Sequence, residues 1–156
     1  MVRKIISGLA VLTMALALTA CGGKEQSATY VMESDLNGVI MTDTMTLDAK
    51  GDVVQQMTET VELDMAGVDE TTQSMLVEQY DMVVDAYNAV EGVECTSQSA
   101  EGSYSITIVI DATGDAVSEL AAQGLLQVEG NTDGISLEAT GEALTAGGYT
   151  LQEAAE

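Results

Sequence analysis

The sequence predicts an α+β domain: an antiparallel sheet, made of a three-strand meander plus a hairpin, with one long and two short helices packed on one face. Three observations predict it. Between about residues 30 and 65, apolar side chains recur at every second position. From residue 70 the spacing lengthens to alternating threes and fours, the period of a helix with one buried stripe. Near residue 93 the two-residue period returns. Nearly half of the residues are apolar (46%) and proline is absent, which excludes a disordered chain.

The stretch "TYVMESDLNGVIMTDTMTLDAKGDVVQQMTETVELDM" divides into three strands at two turn signals, "LNG" at 36–38 and "DAKGD" at 48–52. On the second strand Val39, Met41, Met45 and Leu47 share a face, with Asp43 as the exception. On the third, Val53, Met57, Val61, Leu63 and Met65 share a parity, opposed by Thr58, Thr60, Glu62 and Asp64. One wet face and one buried face are what an antiparallel meander requires.

Asp69 is placed to cap a helix over about 70–90. Leu76, Tyr80, Val83, Tyr87 and Val90 form its apolar stripe, flanked by Met75, Met82 and Ala86, and Gly92 is the expected stop. The strands "VECTSQS" and "YSITIVIDA" then pair around "AEG" at 100–102, with Tyr104, Ile106, Ile108 and Ile110 on one side. "GDAVSELAAQGLL" reads as a short helix begun by Asp115 or Thr113. "SLEATGEALTAGG" reads as another, ended by Gly147 or Gly148, and Tyr149 begins a short terminal extension. Trp and Phe are absent, so Val, Leu, Ile and Met must fill the core, and the methionines are expected there.

The segment before this domain has a different design. Arg3 and Lys4 precede an uncharged apolar run from Ile5 to Leu18, and "LTAC" closes it at Cys21. That order matches an export signal, and the run is shorter than the roughly 20 residues a spanning helix needs. "LTAC" resembles the lipobox of bacterial lipoproteins. The resemblance implies a diacylglyceryl thioether at Cys21, cleavage before it, and acylation of the new amino terminus. Residues 1–20 are thus expected to be a signal peptide, 21–28 a lipidated flexible tether, and 29–156 the domain. Gly22, rather than Asp, follows the cysteine, which in a two-membrane cell resembles release towards the outer membrane.

Charge narrows the partners. Residues 1–20 hold two of the four basic residues, so 26 acidic side chains remain against only Lys24 and Lys50. A nucleic-acid partner is excluded, because phosphate neutralisation needs Lys and Arg. Polybasic adhesion to anionic lipid is disfavoured as well, and the membrane contact is expected to run through the lipid on Cys21. With Cys21 acylated, Cys95 has no disulfide partner; it shares a face with Val93 and reads as a small buried hydrophobe.

Whole-chain patterning, from "ACGGKE" through "KGDVVQQMTETVELDM", "VVDAYNAVEGVE" and "YSITIVID" to "GISLEATGEALTAGGYT", resembles the YehR-like lipoproteins, a bacterial family. The "Y-x-x-x-x-G-V-E" run at 87–94 and the closing "GGYT" carry the likeness best. The resemblance implies a small α+β sheet with helices and offers no catalytic residues. The acidic surface departs from lysine-rich members, so a basic surface function would not transfer.

No histidine is present, which removes Ser-His-Asp, Cys-His and imidazole-metal chemistry. "EGNTDGISLE" resembles the start of a calcium loop, with Glu129, Asn131 and Asp133 before Gly134. The bidentate glutamate of such a loop belongs at position twelve, which is Thr140, and Glu138 stands two residues early. "DAKGD" and "DATGD" pair aspartates across glycine turns. The expectation is a non-enzymatic extracytoplasmic lipoprotein, lipid-anchored at Cys21 to the cell membrane or outer membrane, with no cofactor and no catalytic residue. Its domain would bind a partner or brace an envelope assembly. A weak divalent-cation module built on the acidic turns, and a carboxylate-based hydrolase, are the alternatives.

Overall fold

The computed structural model describes residues 23–128 and 134–152. Strands β1 (Glu25–Leu36), β2 (Val39–Lys50) and β3 (Val53–Asp64) form the meander. Helix α1 (Glu70–Asn88) follows, then the hairpin β4 (Val93–Ala100) and β5 (Ser103–Asp111). Helices α2 (Ala116–Ala122) and α3 (Leu137–Ala146) and a short strand β6 (Thr150–Gln152) complete the described chain. All six strands lie in one antiparallel sheet in the order β4-β5-β3-β2-β1-β6. The hairpin joins the meander through β3 and β5. The terminal extension becomes β6, pairing Tyr30 with Leu151 on the outer side of β1.

The first turn shows how sequence sets register. Asn37 and Gly38 both adopt positive φ (58° and 93°), as a two-residue hairpin of the mirror type demands. The Asp35 carboxylate accepts the Gly38 N–H at 2.8 Å and locks it. Twelve residues of β1 then pair with β2 without a slip, from Leu36↔Val39 to Glu25↔Lys50. β1 therefore begins at Glu25, four residues before the expected start of the domain at residue 29. Its start is held by its pairing with Lys50 and by the Gln26 side chain, whose Nε2 donates to the Gly51 carbonyl at 2.7 Å.

One side of the sheet is covered. α1 packs on β4 and β5, α2 on β5, and α3 on β1 and β6. Tyr30, Met45, Leu47, Met57, Leu63, Cys95, Tyr104, Ile106, Ile108 and Ile110 are buried on that side. Gly141 is what lets α3 lie against β1, since a Cβ there would overlap the Tyr30 hydroxyl. The other side is polar and rich in threonine, with Thr96, Thr107, Thr60 and Thr44 in register across four strands.

Three expectations about these elements need correction. Val53 does not share the buried parity of β3: it is 46% exposed, and Val54 is buried. A bulge causes this, because Asp48 pairs with Gln56 but Ala49 with Val54, so Gln55 is an extra residue that flips the alternation. Met75 and Met82 are not core: they are 58% and 66% exposed on the outer side of α1, whereas Met45, Met57 and Met65 are buried. α1 ends at an Ala89 cap rather than at Gly92, which turns the chain into β4 with φ +84°. Asp115 is the N-cap residue of α2, as expected, although its side chain makes no capping bond. Asp69 does cap α1, accepting the Thr71 and Thr72 N–H groups at 3.0 and 3.1 Å. α3 closes at Gly147 with Gly148 at φ +103°, and the Tyr149 and Gly148 N–H groups return to the Leu144 and Thr145 carbonyls.

Candidate functional site: a carboxyl pair under the helices

Two carboxyl side chains share the covered side of the sheet. Asp43 stands on β2 directly opposite Val61, and Glu59 stands on β3 between Met45 and Ile108. They are diagonal neighbours across one antiparallel ladder, a separation that side chains of this length close. Asp43 is only 6% exposed, and Glu59 is partly buried. The Tyr149 hydroxyl, just beyond α3, donates to Asp43 Oδ2 at 2.6 Å. Asp43 Oδ1 is buried and receives no N–H or hydroxyl donor.

Glu59 faces the Asp43 carboxyl along the diagonal of the ladder, and this favours its protonated form: a protonated carboxyl can donate to Asp43, whereas two ionised carboxylates only repel. Burial pushes Glu59 up to about 7, with the Asp43 charge and hydrogen bond adding to it. Burial also raises Asp43, opposed by the hydrogen bonds from Tyr149 and Glu59. Tyr149 moves well above the usual phenol range, through burial first and then its bond to Asp43. The same carboxyl pair reaches further. Burial and then the Glu59 charge lift Tyr87, on α1, to about 12 and Cys95, on β4, to about 11. Cys95 is therefore a protonated, inert thiol at neutral pH.

Asp43 was visible in the sequence as the one polar residue on an apolar face. Glu59 was missed, although its odd position in β3 puts it in step with Met57 and Val61. Its parity was the available signal. Tyr149 gave none, because it meets Asp43 across 106 residues of chain.

The acidic turns are engaged by backbone. Asp52 of "DAKGD" accepts the Glu138 N–H at 2.9 Å, and this bond holds Asp52 below the usual carboxylate range. Asp111 of "DATGD" accepts both the hydroxyl and the N–H of Thr113, at 2.6 and 2.8 Å, and is lowered in the same way. Glu138 lies exposed in the first turn of α3, beside a shallow hollow shared with Tyr30, Glu142 and Leu151. Cys21, Glu129, Asn131 and Asp133 lie outside the described residues. Among the described residues no three Asp, Glu or Cys side chains converge as a metal cage would require.

A separate apolar groove of about 240 Å³ opens where the β1–β2 turn meets α1, lined by Leu36, Val39, Leu63, Val68, Leu76 and Tyr80. Leu36 is 49% exposed at its lip.

Solved structures share this architecture. The Escherichia coli YehR protein, determined by NMR, superposes with a TM-score of 0.64 at 21% identity, over 87% of this chain and 96% of that one. A Streptococcus pneumoniae TIGR4 protein, also an NMR structure, gives 0.52 at 15% identity, over 97% and 99%. The chain has a YehR-like fold. At these identities the likeness concerns the path of the backbone. Neither a family model nor a curated protein matches the sequence.

Proposed function

We propose that this chain is an extracytoplasmic lipoprotein, anchored through acylated Cys21, whose YehR-like domain acts by binding rather than by catalysis. One observation carries the reading: an apolar run ends at "LTAC", and an ordered domain begins almost at once, with β1 starting at Glu25. In the sequence, Cys21 closes the apolar run and stands four positions before β1, the place a lipobox cysteine takes ahead of a lipoprotein domain. Among the described residues no helix is long and apolar enough to cross a membrane. Two or more acyl chains on Cys21 would hold the domain stably at a membrane surface.

The placement of the carboxyl pair supports binding over hydrolysis: Asp43 is only 6% exposed, and neither it nor Glu59 lines the apolar groove or the hollow beside α3. The groove at the β1–β2 turn is apolar and offers surface for a ligand or partner. Cell fractionation tests the anchoring: the natural chain should sediment with membranes, and Cys21→Ala should leave an unprocessed or soluble product. A Cys21→Ala variant that is processed and retained like the natural chain contradicts the reading.

A further inference from the structure

The carboxyl pair and the acidic turns are accounted for by the fold, but one end of the sheet is not. After Cys21 the chain has only two basic side chains, and the fold brings both to the same end. Gly23 lies against the β2–β3 turn so closely that an added Cβ would stand 3.0 Å from the Gly51 nitrogen and 3.2 Å from Lys50 Cγ. Its φ of +71° is one that glycine adopts freely. The Gly51 N–H donates to the Lys24 carbonyl at 2.8 Å, and Lys50 pairs with Glu25 across the ladder. The backbone is thus pinned to this turn from Gly23 onward, and Lys24 and Lys50 flank the pin.

Only Gly22 separates Gly23 from Cys21, so two residue steps join their Cα atoms. At a maximum of roughly 3.6 Å per residue, the Cys21 Cα lies within about 7 Å of the Gly23 Cα, whatever path the chain takes. A tether that short leaves a domain of this size little freedom to roll. It brings the β2–β3 turn to the surface that receives the acyl chains. β2 is a twelve-residue strand, and at about 3.3 Å per residue it carries the opposite turn roughly 36 Å further away.

We propose that the β2–β3 turn is a docking face for lipid headgroups of the membrane that holds Cys21, with Lys24 and Lys50 meeting anionic phosphates. The sheet then stands on end and presents the apolar groove beside Leu36 outward. This rests on the lipoprotein reading above. Charge supplies the lesser part, through the attraction of Lys24 and Lys50 to an anionic surface. Glu25, Asp48, Asp52, Asp111 and Asp115 cluster near the same end and oppose them. The short tether does most of the orienting.

Acylated protein in vesicles of phosphatidylcholine with one quarter phosphatidylglycerol tests this, in a Cys95→Ala background carrying one fluorophore. The label is placed either at Val53→Cys, beside the turn, or at Leu36→Cys, at the far end. Both side chains are about half exposed, so either variant should fold. A quencher fixed to the lipid headgroups should quench the label at 53 several-fold more than the label at 36. A long Gly-Ser insertion between Gly22 and Gly23 should bring that ratio close to one. Lys24→Gln with Lys50→Gln should reduce it partly, and an unchanged ratio overturns the role given to the lysines. Equal quenching at both labels, in protein whose mass shows the acyl chains, overturns the orientation while leaving the anchoring intact. Protein that carries no acyl mass and does not partition to vesicles overturns both.

Discussion

Burying Asp43 and Glu59 on the covered side of the sheet costs free energy, and desolvation raises both carboxyls. An apolar pair at these positions would bury more simply; the two carboxyls are eased by the Tyr149 hydroxyl on Asp43 and by the raised proton affinity of Glu59. The pH dependence follows from the direction of the shifts. Glu59 binds its proton more tightly folded, at about 7, than unfolded, at 4.5. Between these values the native state holds a proton that the unfolded state has lost, so stability falls as pH rises through that window and levels off above it. The full effect is on the order of 3 kcal/mol. The melting temperature should therefore decline from about pH 5 to above neutral. Glu59→Gln, which keeps a hydrogen-bond donor without the titration, should flatten the curve. A natural chain that melts at the same temperature throughout this range rules out the raised Glu59 titration. Tyr149→Phe should cost about 1–3 kcal/mol, because it strands a buried acceptor on Asp43, and chemical denaturation at neutral pH reads that loss.

At the scale of elements, what a sequence shows is its period, and what it hides is where the period breaks. β2 and the covered side of β5 were legible because unbroken alternation fixes which side chains face inward. The bulge at Gln55 was not, since an extra residue changes no composition and shows only as Val54 inward and Val53 outward. Met75 and Met82 misled in the opposite way: apolar residues at helical spacing belong to a core only where another element covers them, and the outer side of α1 is uncovered. Caps were easier, because a cap needs only local chemistry. Asp69→Ala should destabilise the domain by about 1 kcal/mol through lost bonds to Thr71 and Thr72, measurable as a shift in the urea midpoint. Helix–sheet contacts leave the least trace. Gly141 reads as an ordinary helix weakness, yet it seats α3 on Tyr30. Gly141→Ala should cost about 1–3 kcal/mol despite the better helix propensity of alanine, and Tyr30→Phe should recover part of it by removing the clashing oxygen. Additive losses in that double variant contradict the contact.

Across the whole molecule, the α+β class and the order of the long elements were legible because meander, helix and hairpin each carry a distinct period. The edge strand β6 was not, since three residues are too few to declare a period, and their pairing with β1 depends on where α3 releases the chain. The candidate site was half legible, through Asp43 alone. The largest revision concerns the start of the domain. The stretch from Glu25 to Ala28 reads as polar linker but is strand, because Lys50 and Gly51 lie opposite to pair with it. That shortens the link between fold and anchor to a few residues, and the proposed upright stance follows from the shortening. Everything about placement depends on the chemistry at one sulfur. The intact mass of the protein extracted from membranes tests it most directly. The account predicts a chain beginning at Cys21, lacking residues 1–20 and carrying a diacylglyceryl group with a further acyl chain where the cell adds one. A full-length mass from Met1 with no lipid attached contradicts it.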